Sequence, residues 1–340
     1  MKKRLFLLIT LLIVIVGSII ILTACNTPDD AFIIYDNGVL VSVEHSKVKA
    51  KVEIPDRVTS IGEEAFKNDS KIKELTIGNN VKEIGARAFE GCSNLKKVTI
   101  NGNDKHIDYR AFFNCEKLKT IIFNGSNTRM EEEVFEGTEW DDRTEGIQYI
   151  GDVVYGYNGQ VSSANKVSLR NGVASIASGA FRNCYNLVRL DIPSSVTHIG
   201  KNAFAGCIKL VQISNHSSVP INSPAKIGGE VSNSDQFENE IYENNGIIIL
   251  KINNKQYAIG ATGNRQNLYF PSKITDIYPY AFYGYSDITL NISSNPNLII
   301  HTDALNGCHY AIKGKNKYWE QCEKEINWDR GGTCTKLDLK

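Results

Sequence analysis

The sequence predicts a repeat solenoid, mainly β, with short helical or irregular turns and β-hairpin inserts. Three observations carry that prediction. First, "EEAF", "ARAF", "YRAF" and "EEVF" end at Phe66, Phe89, Phe112 and Phe135, each 23 residues after the last. "SGAF" and "KNAF" end at Phe181 and Phe204, again 23 apart; "PYAF" ends at Phe282, and Ala304-Leu305 fills the same slot 23 residues on. Second, the apolar slots within a period are fixed. Ile77, Val81, Ile84, Ala88, Phe89, Cys92, Leu95 and Val98 return in order as Ile192, Val196, Ile199, Ala203, Phe204, Cys207, Leu210 and Ile213. One coil cannot bury such residues alone, whereas stacked coils form a continuous core. Third, the segments 33–43, 147–159 and 241–260 resemble one another, with strand formers around turns such as Asn37-Gly38 and Asn245-Gly246. That composition predicts hairpins.

The elements follow in chain order. Residues 1–24 combine basic Met1-Lys2-Lys3-Arg4 with an apolar run and read as a secretory signal, with an uncleaved membrane anchor as the other reading. Residues 25–31 are a tether, and 32–53 a hairpin cap over the open N-terminal edge. Four repeat units span 54–145, a hairpin insert 146–168, and two further units 169–214. The stretch 215–240 is rich in Ser, Asn, Pro and Gly and reads as a linker. A second insert spans 241–269, two units 270–308, and a C-terminal cap 309–340, with 317–328 as a short amphipathic helix. Within a unit, Leu95-x-x-Val98-x-Ile100 predicts a strand with alternate residues turned inward. Val81-x-x-Ile84-Gly85 predicts a second extended piece, with the Ala-Phe segment as one helical or irregular turn between them.

The pattern Ile-x-x-Ile-Gly-x-x-Ala-Phe-x-x-Cys-x-x-Leu-x-x-Val resembles the leucine-rich repeat of BspA-like bacterial surface proteins, and 192–213 follows it almost position for position. The chain departs from it at Ile107-Asp108, at Arg129-Met130-Glu131 and at Thr138 in the Cys slot. "LTAC", ending at Cys25, resembles a bacterial lipobox, in which the Cys thiol is acylated after cleavage just before it. Two or more acyl chains hold a protein stably at a membrane. Together the resemblances imply a lipid-anchored protein outside the cytoplasmic membrane that binds proteins of a host or a neighbouring cell, in adhesion. An envelope scaffold or polysaccharide-binding lipoprotein is the alternative.

Charge and motif content point away from other classes. Lys plus Arg equals Asp plus Glu at 38 each, and without 1–24 the balance is 35 against 38. Neither figure predicts the basic face that a nucleic-acid partner needs. Cys92, Cys115, Cys184, Cys207 and Cys308 share one repeat slot with no matching His or acid at a fixed offset. A nucleophile or metal ligand would not be copied this way, so a small buried thiol is the reading. Cys322 and Cys334 lie outside the repeat, and export leaves a bridge between them and a free pair both open. The six histidines show no metal spacing, and His106 and His198 read as solvent-facing. No Gly-x-Ser-x-Gly elbow occurs; 258–265 lacks a dinucleotide fingerprint and 313–317 lacks the first half of a P-loop. No catalytic residue, metal or cofactor is expected.

Two surfaces remain as binding candidates. The outward positions of the strands are Glu74 and Thr76, Lys97 and Thr99, Thr120 and Ile122, Arg189 and Asp191, Gln212 and Ser214. Stacked about 5 Å apart, they would make polar columns suited to an extended partner, or an ordinary solvated face. The second is the group Tyr278, Tyr280, Tyr283 and Tyr285. It reads as a protein- or sugar-binding patch, or as packing against the 241–269 hairpin.

Overall fold

The computed structural model describes residues 26–140, 145–158, 166–262, 266–285, 288–301, 303–314 and 335–336. It is a β-solenoid of about 11 turns with a single helical element among the described residues, the 3-10 turn Asp29–Ala31. Of the two forms expected for each Ala-Phe segment, helical or irregular, the structure shows the irregular turn. The residue two before the core Phe is left-handed at Glu64, Arg87, Arg110, Glu133, Gly179, Asn202 and Tyr280. The residue two after it is left-handed in all eight units, as Asn68, Gly91, Asn114, Gly137, Asn183, Gly206, Gly284 and Gly307. An α-helix cannot run through such positions. The turns are held by neighbouring coils: Glu64, Phe66 and Asn68 donate their N–H groups to the carbonyls of Ala86, Ala88 and Glu90.

Six sheets form three pairs, so the chain builds three modules. Each module has a face of two-residue strands and a face of longer strands. In the first module the short face is Ser60–Ile61, Glu83–Ile84, His106–Ile107 and Arg129–Met130, all parallel. The long face is Lys51–Glu53, Glu74–Ile77, Lys97–Asn101 and Thr120–Asn124. The second long face is Lys166–Ser168, Arg189–Ile192, Gln212–Asn215 and Glu230–Ser232. The third is Asn267–Tyr269, Ile288–Asn291, His309–Lys313 and Thr335–Lys336.

Every module opens on an antiparallel hairpin whose last strand enters the short face in parallel register. Val39–Val43 pairs with Ser60–Ile61, Val153–Asn158 with Ser175–Ile176, and Lys255–Ala261 with Asp276–Ile277. The two later hairpins, expected as inserts, are therefore coils of the solenoid themselves. Val154 aligns with Ile176 and Val153 with Ser175, and both valines are fully buried, so the stack accepts them. The stretch expected as a linker also contributes a strand, Glu230–Ser232, which extends the second long face.

Packing follows the hydrogen-bond spacing. Parallel strands sit roughly 4.8 Å apart. The rings of Phe66, Phe89, Phe112 and Phe135 stack at 4.7, 5.0 and 5.2 Å, close to the same repeat. One continuous apolar core runs from Phe32 through Ile213, and a second spans Ile247–Tyr310 with Val188 and Val211 joining it from the middle module.

Candidate functional site

The long faces carry the columns expected from the alternation. Register aligns Lys51, Glu74, Lys97 and Thr120 in one column and Glu53, Thr76, Thr99 and Ile122 in the next. Glu74, Lys97 and Thr120 are exposed, and Thr76, Thr99 and Ile122 are half-buried. Lys51 and Glu53 pair at 2.7 Å on this open surface.

In the second module the corresponding column is Lys166, Arg189, Gln212 and Glu230, beside Ser168, Asp191, Ser214 and Ser232. Here the surface is not open. Gln212 and Ser214 are buried, at 7% and 6% exposure, which corrects their reading as outward-facing solvent positions. The physical reason is the chain after Glu230–Ser232, which folds back over the sheet. Gln212 donates Nε2 to the Asn239 carbonyl at 2.7 Å, and Arg189 donates Nη2 to the Ile241 carbonyl at 3.1 Å. A recess of about 280 Å³ remains between the sheet and Asp235 and Phe237. Asp191 accepts from Ser168 Oγ at 2.8 Å and pairs with Lys166 at 2.9 Å. Burial works to raise its carboxyl, but the Lys166 and Ser168 bonds outweigh it and hold it low. Burial lowers the Arg189 guanidinium from its ordinary value, against the opposing charge of Asp191.

The tyrosine group divides. Tyr278 is fully buried, which corrects its place in an exposed patch. Its hydroxyl donates toward the Ile208 carbonyl at 3.0 Å and accepts from Ile227 N–H at 2.9 Å, tying the last two modules together. Burial pushes that hydroxyl up to about 12. Tyr285 is half-buried and bonds the Ala261 backbone of the hairpin. Tyr280 and Tyr283 stay at the surface, grouped with Tyr185 at ring distances of 4.8 Å each. Sequence reasoning missed Tyr185, which follows Cys184 where other units carry Ser93, Glu116 and Ile208.

The cysteine slot is structural and also polar. Cys92, Cys115 and Cys207 donate Sγ–H to the carbonyls of Phe66, Phe89 and Phe181, one coil earlier, at 3.2, 3.1 and 2.8 Å. The Cys115 thiol and then burial raise Cys92 far above an ordinary thiol. Thr138 fills the slot with like chemistry, its hydroxyl donating to the Phe135 carbonyl at 2.8 Å. His106 and His198, expected to face solvent, are half-buried beside the short face. Burial and then Arg129 lower His198. Among the described residues no group of three His, Cys, Asp or Glu side chains is placed to hold a metal. Cys25, Cys322, Cys334 and the 317–328 segment lie outside the described residues.

The described coils agree with known proteins. The pattern "BspA type leucine rich repeat region" matches in six copies, over residues 44–158, 148–225 and 232–314. No curated protein matches the chain. Among solved structures, a leucine-rich repeat protein of T. pallidum is 23% identical, covering 57% of this chain and 83% of its own, with a TM-score of 0.34. A leucine-rich cell surface protein of Faecalibacterium prausnitzii is 22% identical over 87% of this chain and 89% of its own, at 0.32. A leucine-rich repeat protein from Bacteroides capillosus is 28% identical over 33% of this chain and 88% of its own, at 0.29. With the repeat pattern matched over most of its length, this chain belongs to the BspA-type leucine-rich repeat family.

Proposed function

We propose that the protein is a cell-surface binding module that grips other proteins through the outward columns of its long-strand faces, in adhesion to host or neighbouring cells. The observation that supports this most directly is the register of those columns. Residues 23 apart in sequence recur at one strand spacing, so Lys51, Glu74, Lys97 and Thr120 offer a regular row of charged and polar groups. An extended partner can meet such a row group by group. Cys25 is the proposed attachment point, acylated so that the solenoid stands outside the cytoplasmic membrane.

The binding experiment uses residues 25–340 with Cys25 replaced, presented to immobilised extracellular-matrix and cell-surface proteins. Saturable capture is expected, weakened several-fold by Lys97→Glu; capture of none of them would refute adhesion. For the anchor, growth with labelled fatty acid should mark the wild-type chain and leave Cys25→Ala unmarked. The Tyr185, Tyr280 and Tyr283 group favours a second reading, binding of a polysaccharide. Aromatic faces with hydroxyls suit sugars. Glycan binding lost in Tyr280→Ala and retained in Lys97→Glu would favour it over adhesion.

A further inference from the structure

We propose that the recess beside Arg189 is a binding site for a carboxylate presented by a partner protein. The site lies within the strand face taken above as the partner-binding surface, and the identity of the partner as a protein rests on that reading.

Lys166 is matched to Asp191, and Asp191 is further held by Ser168. Asp235 lies 3.3 Å from His216, a neighbour that carries a balancing charge only when its ring is protonated. Arg189 alone among the cations lining the recess has no acid within ion-pair distance. Among the described residues its one hydrogen-bond partner is the Ile241 carbonyl, and Asp191 acts on it only from beyond ion-pair distance. A guanidinium carries five N–H donors in a planar fork, so one carbonyl leaves most of that capacity for water or a ligand in the recess it lines. Partial burial makes the vacancy matter, because an ionised group withdrawn from water gains most from an acceptor that carries charge. The same position on the first module is the exposed Lys97-type surface, where water meets every donor.

The other walls select the acceptor. Asp191 and Asp235 place two negative charges beside the opening, which penalises a dianion such as phosphate more than a singly charged carboxylate. A flat carboxylate also matches the guanidinium fork with two parallel bonds. Phe237 supplies an apolar wall for the methylenes that carry such a group. About 280 Å³ admits a short acidic side chain or a chain end with some water, and not a folded element. The carboxylate thus comes from an Asp or Glu side chain or from a C-terminus.

The test uses peptides on the full chain and no partner protein, so it fails or succeeds separately from adhesion. Ac-Gly-Glu-Gly-amide presents only a side-chain carboxylate, Ac-Gly-Gly-Gly only a terminal one, and Ac-Gly-Gln-Gly-amide neither. The readout is the arginine Nε–H NMR signal of Arg189, assigned by its loss in Arg189→Gln, with affinities taken from peptide fluorescence polarisation. Saturable binding of one carboxylate peptide is expected, with the better one naming the source. Asp235→Asn should tighten it by about three-fold through removal of a repelling charge, and Arg189→Gln should weaken it by about ten-fold or more. The opposite signs separate loss of the site from loss of the fold. Equal binding of the glutamine peptide, tighter binding of inorganic phosphate, unchanged affinity in Arg189→Gln, or no saturable binding by either carboxylate would each overturn the proposal.

Discussion

Gly91 occupies a place where two demands meet. Its φ of +71° lies in the left-handed region, and a Cβ there would run into Asn68 Oδ1 of the coil before. The same pairing recurs at Gly137 over Asn114 and Gly206 over Asn183. Asn and Gly are the residues that tolerate this backbone, so the first two modules alternate the one with a side chain and the one without, while the third carries Gly284 and Gly307. Gly172 is a natural control, since its φ is +85° with nothing within 4 Å of a Cβ. Gly172→Ala should cost about 1 kcal/mol from backbone strain alone. Gly91→Ala should cost about 2–4 kcal/mol, since the clash adds to the strain. Thermal unfolding of both variants checks this, and Asn68→Ala in the Gly91→Ala background should recover part of the loss. If the two glycine variants melt alike, the steric pairing is not what fixes Gly at this slot. The Cys slot was legible as buried because five copies share it. Its hydrogen bond to a Phe carbonyl was not, since that contact crosses between coils and leaves no mark in a single period.

At the scale of elements, each hairpin ends a stack that would otherwise leave polar groups exposed. Within the first module Phe66, Phe89 and Phe112 donate their N–H groups to Ala88, Ala111 and Val134 of the following coil. Phe135 has no such coil after it, and its N–H goes to the Tyr155 hydroxyl of the second hairpin at 2.9 Å. The Tyr155 ring also packs edge-on against Phe135 and Trp140, at 5.8 and 5.5 Å. Tyr155→Phe keeps the ring and strands a buried amide, which costs about 1–3 kcal/mol. Hydrogen exchange at the Phe135 amide should accelerate in that variant while the Phe89 amide, bonded inside the stack, holds its rate. Equal protection of the Phe135 amide in both proteins would mean the hydroxyl does not close the stack. Turn residues made the hairpins readable in the sequence. Their entry into the solenoid was not, because Val153–Asn158 looks the same whether its second edge is free or paired with Ser175–Ile176. Glu230–Ser232 was hidden for a related reason: its Ser- and Gly-rich surroundings read as loop, and only the neighbouring Gln212–Asn215 edge makes it a strand.

For the whole molecule, the period set out the coils but not the joint between the second and third modules, whose contacts link residues with no repeat relation. Lys209 is the centre of that joint. Its Nζ donates to Asn186 Oδ1 at 3.3 Å and to the carbonyls of Ile259 and Ala281 at 3.2 Å each, the last two from the third module. In the first module the same slot holds Lys71 and Lys117, whose amines sit at the surface. Burial under the third module lowers the Lys209 amine to about 7. Three carbonyl-type acceptors suit a charged ammonium, yet none of them carries the charge that would balance it. The unfolded chain holds this proton up to an ordinary lysine value of about 10.4, whereas the docked state releases it near 7. Between those values the unfolded or undocked state binds more protons, so stability rises with pH across that window. The rise should be up to on the order of 4 kcal/mol, reduced by whatever the three acceptors return to the ammonium. Lys209→Met removes the titrating group while keeping a long apolar stem. It should melt higher than wild type at pH 7, and the difference should shrink as the pH approaches 10. The measurement is the thermal midpoint of both proteins across that range, with Tyr278 fluorescence reporting on the joint. A difference that stays constant with pH would show that Lys209 keeps its proton when buried, and that its three acceptors are sufficient to hold a charge between the modules.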